Sequence, residues 1–134
     1  MHMVALYLNK PKYWEFIRNL RNDPRVRKGF VKQRYISVKA HAKYMEKHNN
    51  RYYVCIQDGE PVGYIGDVNI DIRLAVVPER QGEGFGEYML REYVKLRSFV
   101  RAKVKKDNVV SQRLFEKCGW RRTSSGKKFY YYDL

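Results

Sequence analysis

Several structure-making features are scarce in this sequence. No apolar run approaches the roughly 20 residues needed to cross a bilayer, and the longest are broken by Arg or Asp, so a membrane span is not expected. The opening Met1-His2-Met3-Val4-Ala5-Leu6-Tyr7-Leu8 is too short, and too uncharged at its start, for a secretory signal. A cytoplasmic protein is the resulting expectation. Two cysteines, Cys55 and Cys118, lie far apart and fit no metal-ligand spacing, so each reads as a free buried thiol. His41 and His48 share a helix face seven residues apart without a third ligand, and no metal site is expected. Repeats, low-complexity tracts and Pro/Gly/Ser-rich linkers are missing as well. A chain of 134 residues suits one domain and is short for two, so residues 1–134 are expected to fold as one.

Acidic side chains are also few: 14 against 28 Lys and Arg, for a formal net charge of +14. A field of that sign draws in polyanions and says nothing about fold. The basic residues are densest over 18–34, 97–106 and 113–128. Zinc-finger spacing and the RNA-recognition aromatic signature are both lacking. Contact with nucleic acid or the ribosome therefore rests on charge alone, beside the plainer reading of a solvated basic surface. Apolar residues make up 44%, enough for a packed core.

What is present has a clear order. Val4 to Leu8 reads as a short strand. Pro11 can open a helix, along which Tyr13, Trp14, Phe16, Ile17 and Leu20 recur at helical spacing until Asn22-Asp23-Pro24 ends it. A short turn carries Val26 and Phe30. Ser37 is an N-cap for a helix over 38–47 with Ala40, Tyr44 and Met45 on one face. The period then changes. Tyr52 to Ile56 and Val62 to Gly66 read as two strands joined by the hairpin signal Asp58-Gly59. Asn69 to Val77 is a third strand of this half, with Ile70, Ile72, Leu74 and Val76 on one face, stopped by Pro78. A helix over 82–96 buries Phe85, Met89, Tyr93 and Leu96. A strand over 99–104, a helix over 109–118 and a hairpin over 120–134 turning at Ser125-Gly126 complete the chain. The expected class is α+β, with a mixed, mainly antiparallel sheet of about six to seven strands and helices on both faces.

The segment Gln81-Gly82-Glu83-Gly84-Phe85-Gly86 sits between a strand and an amphipathic helix. A diphosphate needs unpaired N–H groups, the partial positive charge of a helix N-terminus, and residues without Cβ so that the backbone can come close. Gly82, Gly84 and Gly86 meet that need, with Arg80 adding charge beside them. A P-loop would place Lys-Ser/Thr after the glycines, whereas Glu87-Tyr88 follows. A dinucleotide fold would place this turn after its first strand, whereas here the strand leading into it has three others before it.

At this point the residues resemble a known family. Leu74-Ala75-Val76-Val77-Pro78-Glu79-Arg80-Gln81-Gly82-Glu83-Gly84-Phe85-Gly86 is similar to the coenzyme A signature of the Gcn5-related N-acetyltransferases (GNAT), with Gln81, Gly84 and Gly86 at its defining positions. Asn108 to Trp120 resembles the second motif of that family: an Asn, a short helix with an aromatic near its end, then Gly119 and an aromatic opening a strand. More weakly, Arg21 to Lys28, Ile36-Ser37 and His41 resemble the branch of bacterial amino-sugar and ribosomal-protein acetyltransferases, in which two early helices shape the acceptor site.

The resemblance implies an enzyme that uses acetyl-CoA as acyl donor and acetylates a primary amine by direct attack on the thioester. Leu74, Ala75 and Val76 would pair with the pantetheine arm, and a backbone N–H near Val76 or Val77 would meet the oxyanion. The amides of Gly82, Glu83, Gly84, Phe85 and Gly86 would hold the pyrophosphate, with Gln81 and Arg80 at its edge. Asn108, Ser111 and Phe115 would face the cofactor from the second motif. The base candidates are Asp71 and then Asp67. Relatives place at Phe115 a tyrosine that protonates the leaving thiolate, so Tyr130, Tyr131 or Tyr132 must serve, Tyr132 being the candidate carried forward, or the thiolate leaves unaided. The acceptor would be a small amine or a nucleotide-linked amino sugar, or alternatively a protein or ribosomal component. A monomer or homodimer is expected. A reading of another class is a basic nucleic-acid-binding module on the same fold without catalysis.

Overall fold

The computed structural model describes residues 3–30, 34–97 and 99–134. Met1 and His2 of the opening segment, and Lys32 of the first basic cluster, lie outside these. Among the described residues seven strands and five helices follow one another: β1 (Val4–Leu8), α1 (Pro11–Asn22), α2 (Pro24–Arg27), α3 (Val38–His48), β2 (Tyr52–Gln57), β3 (Glu60–Val68), β4 (Asp71–Val76), α4 (Phe85–Leu96), β5 (Arg101–Lys105), α5 (Val109–Lys117), β6 (Arg121–Ser125) and β7 (Phe129–Asp133). One sheet takes all seven strands in the order β1-β2-β3-β4-β5-β7-β6. Every neighbouring pair is antiparallel except β4 and β5. The expected α+β class, strand number and mixed sheet are what the chain adopts.

Alternation along the strands sorts side chains into two cores. One lies beneath α4 and α5, where Phe85, Met89, Leu90 and Tyr93 meet Val62, Ile65, Ala102, Val104, Phe115, Trp120 and Tyr132. The other lies beneath α1 and α3, where Ile17, Leu20 and Met45 meet Tyr52, Val54, Tyr64 and Ala75. Helices therefore cover both faces. The stops and starts follow local chemistry: Pro11 opens α1, Asp23 caps α2 by accepting from the Arg25 N–H, and Ser37 caps α3 by accepting from the Ala40 N–H.

Several boundaries differ from the sequence reading. Asn69 and Ile70 have φ of 52° and 65° and form the tight turn that pairs Val68 with Asp71, so β4 begins at Asp71. Nothing in a β-branched residue such as Ile70 announces a left-handed turn. On α3 the inward face carries His41 and Met45, and Ala40 is exposed. On α4 Leu90 joins the core while Leu96 runs past it and is exposed, and Phe99 is exposed ahead of β5 rather than within it. β6, the outer edge of the sheet, is exposed throughout and carries Arg121-Arg122-Thr123-Ser124-Ser125, a charged edge that resists pairing with another chain.

Candidate functional site

The two parallel strands form a fork. They pair at a single position, Asp71 with Arg101, where the Arg101 N–H donates to the Ile70 carbonyl at 2.8 Å. Beyond it, β4 runs on to Val76 and β5 to Lys105 without pairing. At the far end the Val77 N–H donates to the Val62 carbonyl at 2.8 Å. In an antiparallel ladder successive residues point their polar groups to opposite sides. Val77 and Ala75 therefore bond toward β3, while Leu74 and Val76 turn N–H and C=O into the fork. The Val76 carbonyl meets only the Gln81 side-chain amide there, at 3.3 Å, among the described residues.

The fork opens onto the start of α4. A single 3-10 turn, Pro78–Arg80, reverses the chain, and Gly82 and Gly84 then take φ of 83° and 91°. A Cβ at either would meet nothing within 4 Å, so backbone conformation and not space demands glycine there. Side chains cap α2, α3 and α5, but Gly84 stands at the N-cap of α4 and brings none. The first intrahelical bond is Tyr88 N–H to the Gly84 carbonyl, at 3.0 Å. The N–H groups of Gly84 to Glu87 thus lack helical acceptors and face the opening with the positive end of the helix dipole.

The matching family is the one described as Acetyltransferase (GNAT), over residues 14–120. The chain belongs to the GNAT acetyltransferase family. Solved structures agree on the fold at low identity. A domain from Methanocaldococcus jannaschii DSM 2661 superposes with a TM-score of 0.82 at 16% identity, covering 100% of this chain and 99% of that one. Spermidine N-acetyltransferase from Vibrio cholerae, in complex with CoA and spermine, gives 0.78 at 17%, covering 96% and 92%. An aminoglycoside acetyltransferase in complex with coenzyme A gives 0.76 at 16%, covering 97% and 93%. Among curated proteins none matches significantly.

Within this GNAT fold the expected site residues divide. Leu74, Val76 and the turn from Gln81 to Gly86 lie together at the mouth of the fork. Ala75 instead pairs with Tyr64 and buries its methyl under α1. Phe85 is buried in the core with the Arg80 guanidinium 5.2 Å from its ring centre. Gly86 lets α4 approach α5, since a Cβ there would touch Leu114 at 3.4 Å. Arg80 and Glu83 bind each other at 2.9 Å, and Arg80 also reaches Gln57 and Glu60, so much of its charge is already answered. Asn108 accepts from the Ser111 N–H at 3.1 Å, which places both residues in the cap of α5.

The catalytic candidates stand away from that mouth. Asp71 sits at the closed end, five residues before Val76 and so about 16 Å back along the strand. Asp67 is fully buried, with its carboxylate held by Arg51 at 2.6 Å and by the Tyr93 hydroxyl. Burial, and then the neighbouring carboxylate, push the Tyr93 hydroxyl far up, so it stays a donor. Tyr132 lies on β7, one strand removed from the fork, and its hydroxyl donates to Glu116 at 2.7 Å. Phe115 is buried between Trp120 and Tyr132, with ring centres 5.1 and 6.0 Å apart.

A roof over the fork is legible only in three dimensions. The Arg25 guanidinium meets Glu79, beyond the end of β4, at 2.9 Å. Next along the chain, the Lys28 carbonyl accepts from the Lys105 ammonium, at the end of β5, at 2.9 Å. The segment around α2 is thereby tied to both prongs, and these partners are too distant in sequence for any local signal to reveal them.

Proposed function

We propose that this GNAT acetyltransferase takes acetyl-CoA as its acyl donor and acetylates a primary amine by direct attack on the thioester. The observation that carries the reading is the continuity of two sets of unpaired backbone groups: Leu74 and Val76 in the fork, then the uncapped amides at the start of α4. An amide-bearing pantetheine arm matches the first set as an added strand would, and a diphosphate matches the second. Arg80, Gln81 and Glu83 border the diphosphate, and Asn108, Ser111 and Phe115 support the far wall through the cap and packing of α5. The Val76 N–H is the donor for the oxyanion, since Val77 spends its own on Val62; one such donor is worth about 3 kcal/mol of barrier.

In the reaction the amine nitrogen bonds to the thioester carbon, the C–S bond breaks and the thiolate departs with its electron pair. The amine proton passes to water, since Asp67, Asp71 and Tyr132 stand back from the mouth. An ordinary thiol pKa lets the thiolate leave unaided. The acceptor fits best as a small amine attached to an anion, such as a nucleotide-linked amino sugar, because a net charge of +14 draws anions in. The Vibrio cholerae relative is named for spermidine, a polycation, which a net charge of +14 would repel.

Thiol release measured with acetyl-CoA and a panel of amines tests this, with nucleotide-linked amino sugars, free amino sugars, a basic peptide and spermidine as arms. Turnover is expected with the anionic amines first. Absence of any thermal stabilisation by acetyl-CoA up to millimolar concentration would overturn the donor assignment.

A further inference from the structure

On the face that α1 and α3 cover, their core does not reach the far strands of the sheet. The core under α1 and α3 ends at β4, and no described residue of β5, β6 or β7 belongs to it. On these outer strands Ala102, Val104 and Tyr132 point the other way, into the core under α4 and α5. Their neighbours Arg101, Lys103 and Lys105 therefore share the opposite, half-exposed face, where register sets them opposite Asp133, Tyr131 and Phe129 of β7. The contacts agree: the Arg101 guanidinium lies 5.0 Å from the Tyr131 ring centre and the Lys103 ammonium 4.5 Å from that of Phe129. Arg121 of β6 joins the face opposite Asp133. Asp133 answers Arg101 at 3.4 Å, and the Lys105 ammonium is held by the Lys28 carbonyl at 2.9 Å with Asp107 at 3.9 Å, so Lys103 and Arg121 supply the excess positive charge.

Cations and rings thus alternate in two neighbouring rows. Every second residue of a strand repeats at about 6.6 Å, so three cations and two rings run in parallel rows at one pitch. Cations in a row suit a chain of phosphates, and ring faces beside them suit unstacked bases, whatever their sequence. We propose that this face binds single-stranded nucleic acid, with phosphates along Arg101, Lys103 and Lys105 and bases on Phe129 and Tyr131. A duplex offers its bases only edge-on within grooves, so it fits the cations and not the rings. The site accounts for the direction of the +14 charge and does not depend on acetyl transfer.

The test is fluorescence anisotropy with labelled dT12 and rU12, against an abasic 12-mer carrying the same phosphates. Both oligonucleotides are expected to bind at least tenfold more tightly than the abasic chain, because two stacked bases are lost with it. Three phosphate contacts predict a log–log salt slope of about −2. Lys103→Gln and Tyr131→Ala should each weaken binding fivefold or more, while Lys39→Gln, the same charge change on the exposed side of α3, leaves it within twofold. Equal binding of the abasic chain, equal losses in Lys103→Gln and Lys39→Gln, or competition by UMP as effective as by dT12 would each overturn the proposal. Should Tyr131→Ala melt early, the abasic comparison on the unaltered protein still decides.

Discussion

The backbone N–H of Val77 donates to the carbonyl of Val62 at 2.8 Å, and this one bond sets which residues of β4 face the fork. It fixes the alternation that turns Leu74 and Val76 toward the open side and Ala75 toward Tyr64. Val76→Pro removes the fork-facing N–H without touching the β3 ladder. It should lower kcat by about 100-fold, as loss of one oxyanion donor does, with the melting temperature little changed. Val77→Pro breaks the bond to Val62 and should act in reverse, lowering stability first. Steady-state thiol release and thermal melts of the two variants separate these outcomes.

Gly84→Arg tests the start of α4. At φ 91° any side chain is strained, at about 1 kcal/mol, yet a Cβ meets nothing nearby, so the protein should remain folded. The new side chain projects from the N-cap across the free amides. Calorimetric titration with coenzyme A should show affinity reduced at least 100-fold. Normal binding by this variant would refute the diphosphate assignment.

These two positions also show how much the sequence disclosed. The strand, the glycines and the helix after them were legible because each has a local cause: β-branched alternation, the freedom of glycine at positive φ, and an amphipathic repeat. The parity of β4 was not, since it depends on a partner strand, and the sequence reading left Val76 and Val77 equivalent. Asp67 shows the same limit. Its letters look like a carboxylate available for catalysis, and only the tertiary fold brings Arg51 and Tyr93 onto it. Ile70 misled in the opposite sense, extending an apolar alternation into what is a turn.

Asp67→Asn should therefore behave as a stability variant. A fully buried carboxylate bound by a guanidinium and a phenol is lost, and Arg51 keeps a charge with no partner of opposite sign. The expected loss is about 2 kcal/mol, below the range for a wholly buried pair because the Arg51 side chain is 44% exposed. Urea denaturation measures it. The value of kcat on folded protein should change by less than threefold; a collapse of kcat at unchanged stability would restore Asp67 as the base.

His41 is 2% exposed in the core between α1 and α3, with the Trp14 backbone beside its ring. Burial, and then the Arg21 charge, push its pKa down to about 4 from the usual 6.5. The unfolded chain therefore takes up a proton near pH 6.5 that the folded protein refuses until about pH 4. Stability rises with pH wherever the unfolded state binds more protons, so it should be fully present above pH 6.5 and fall as pH drops toward 4. The drop attributable to this one group is about 3 kcal/mol. Carboxylates titrate in the lower part of the same window, so the measurement is a difference: urea denaturation of the natural protein and of His41→Leu at pH 7.5, 5.5 and 4.5. The gap between the two should move in favour of the Leu variant by about 3 kcal/mol across that range. A constant gap would mean that His41 takes up its proton as readily in the fold as in the unfolded chain, so that at low pH α3 packs on α1 around a charge.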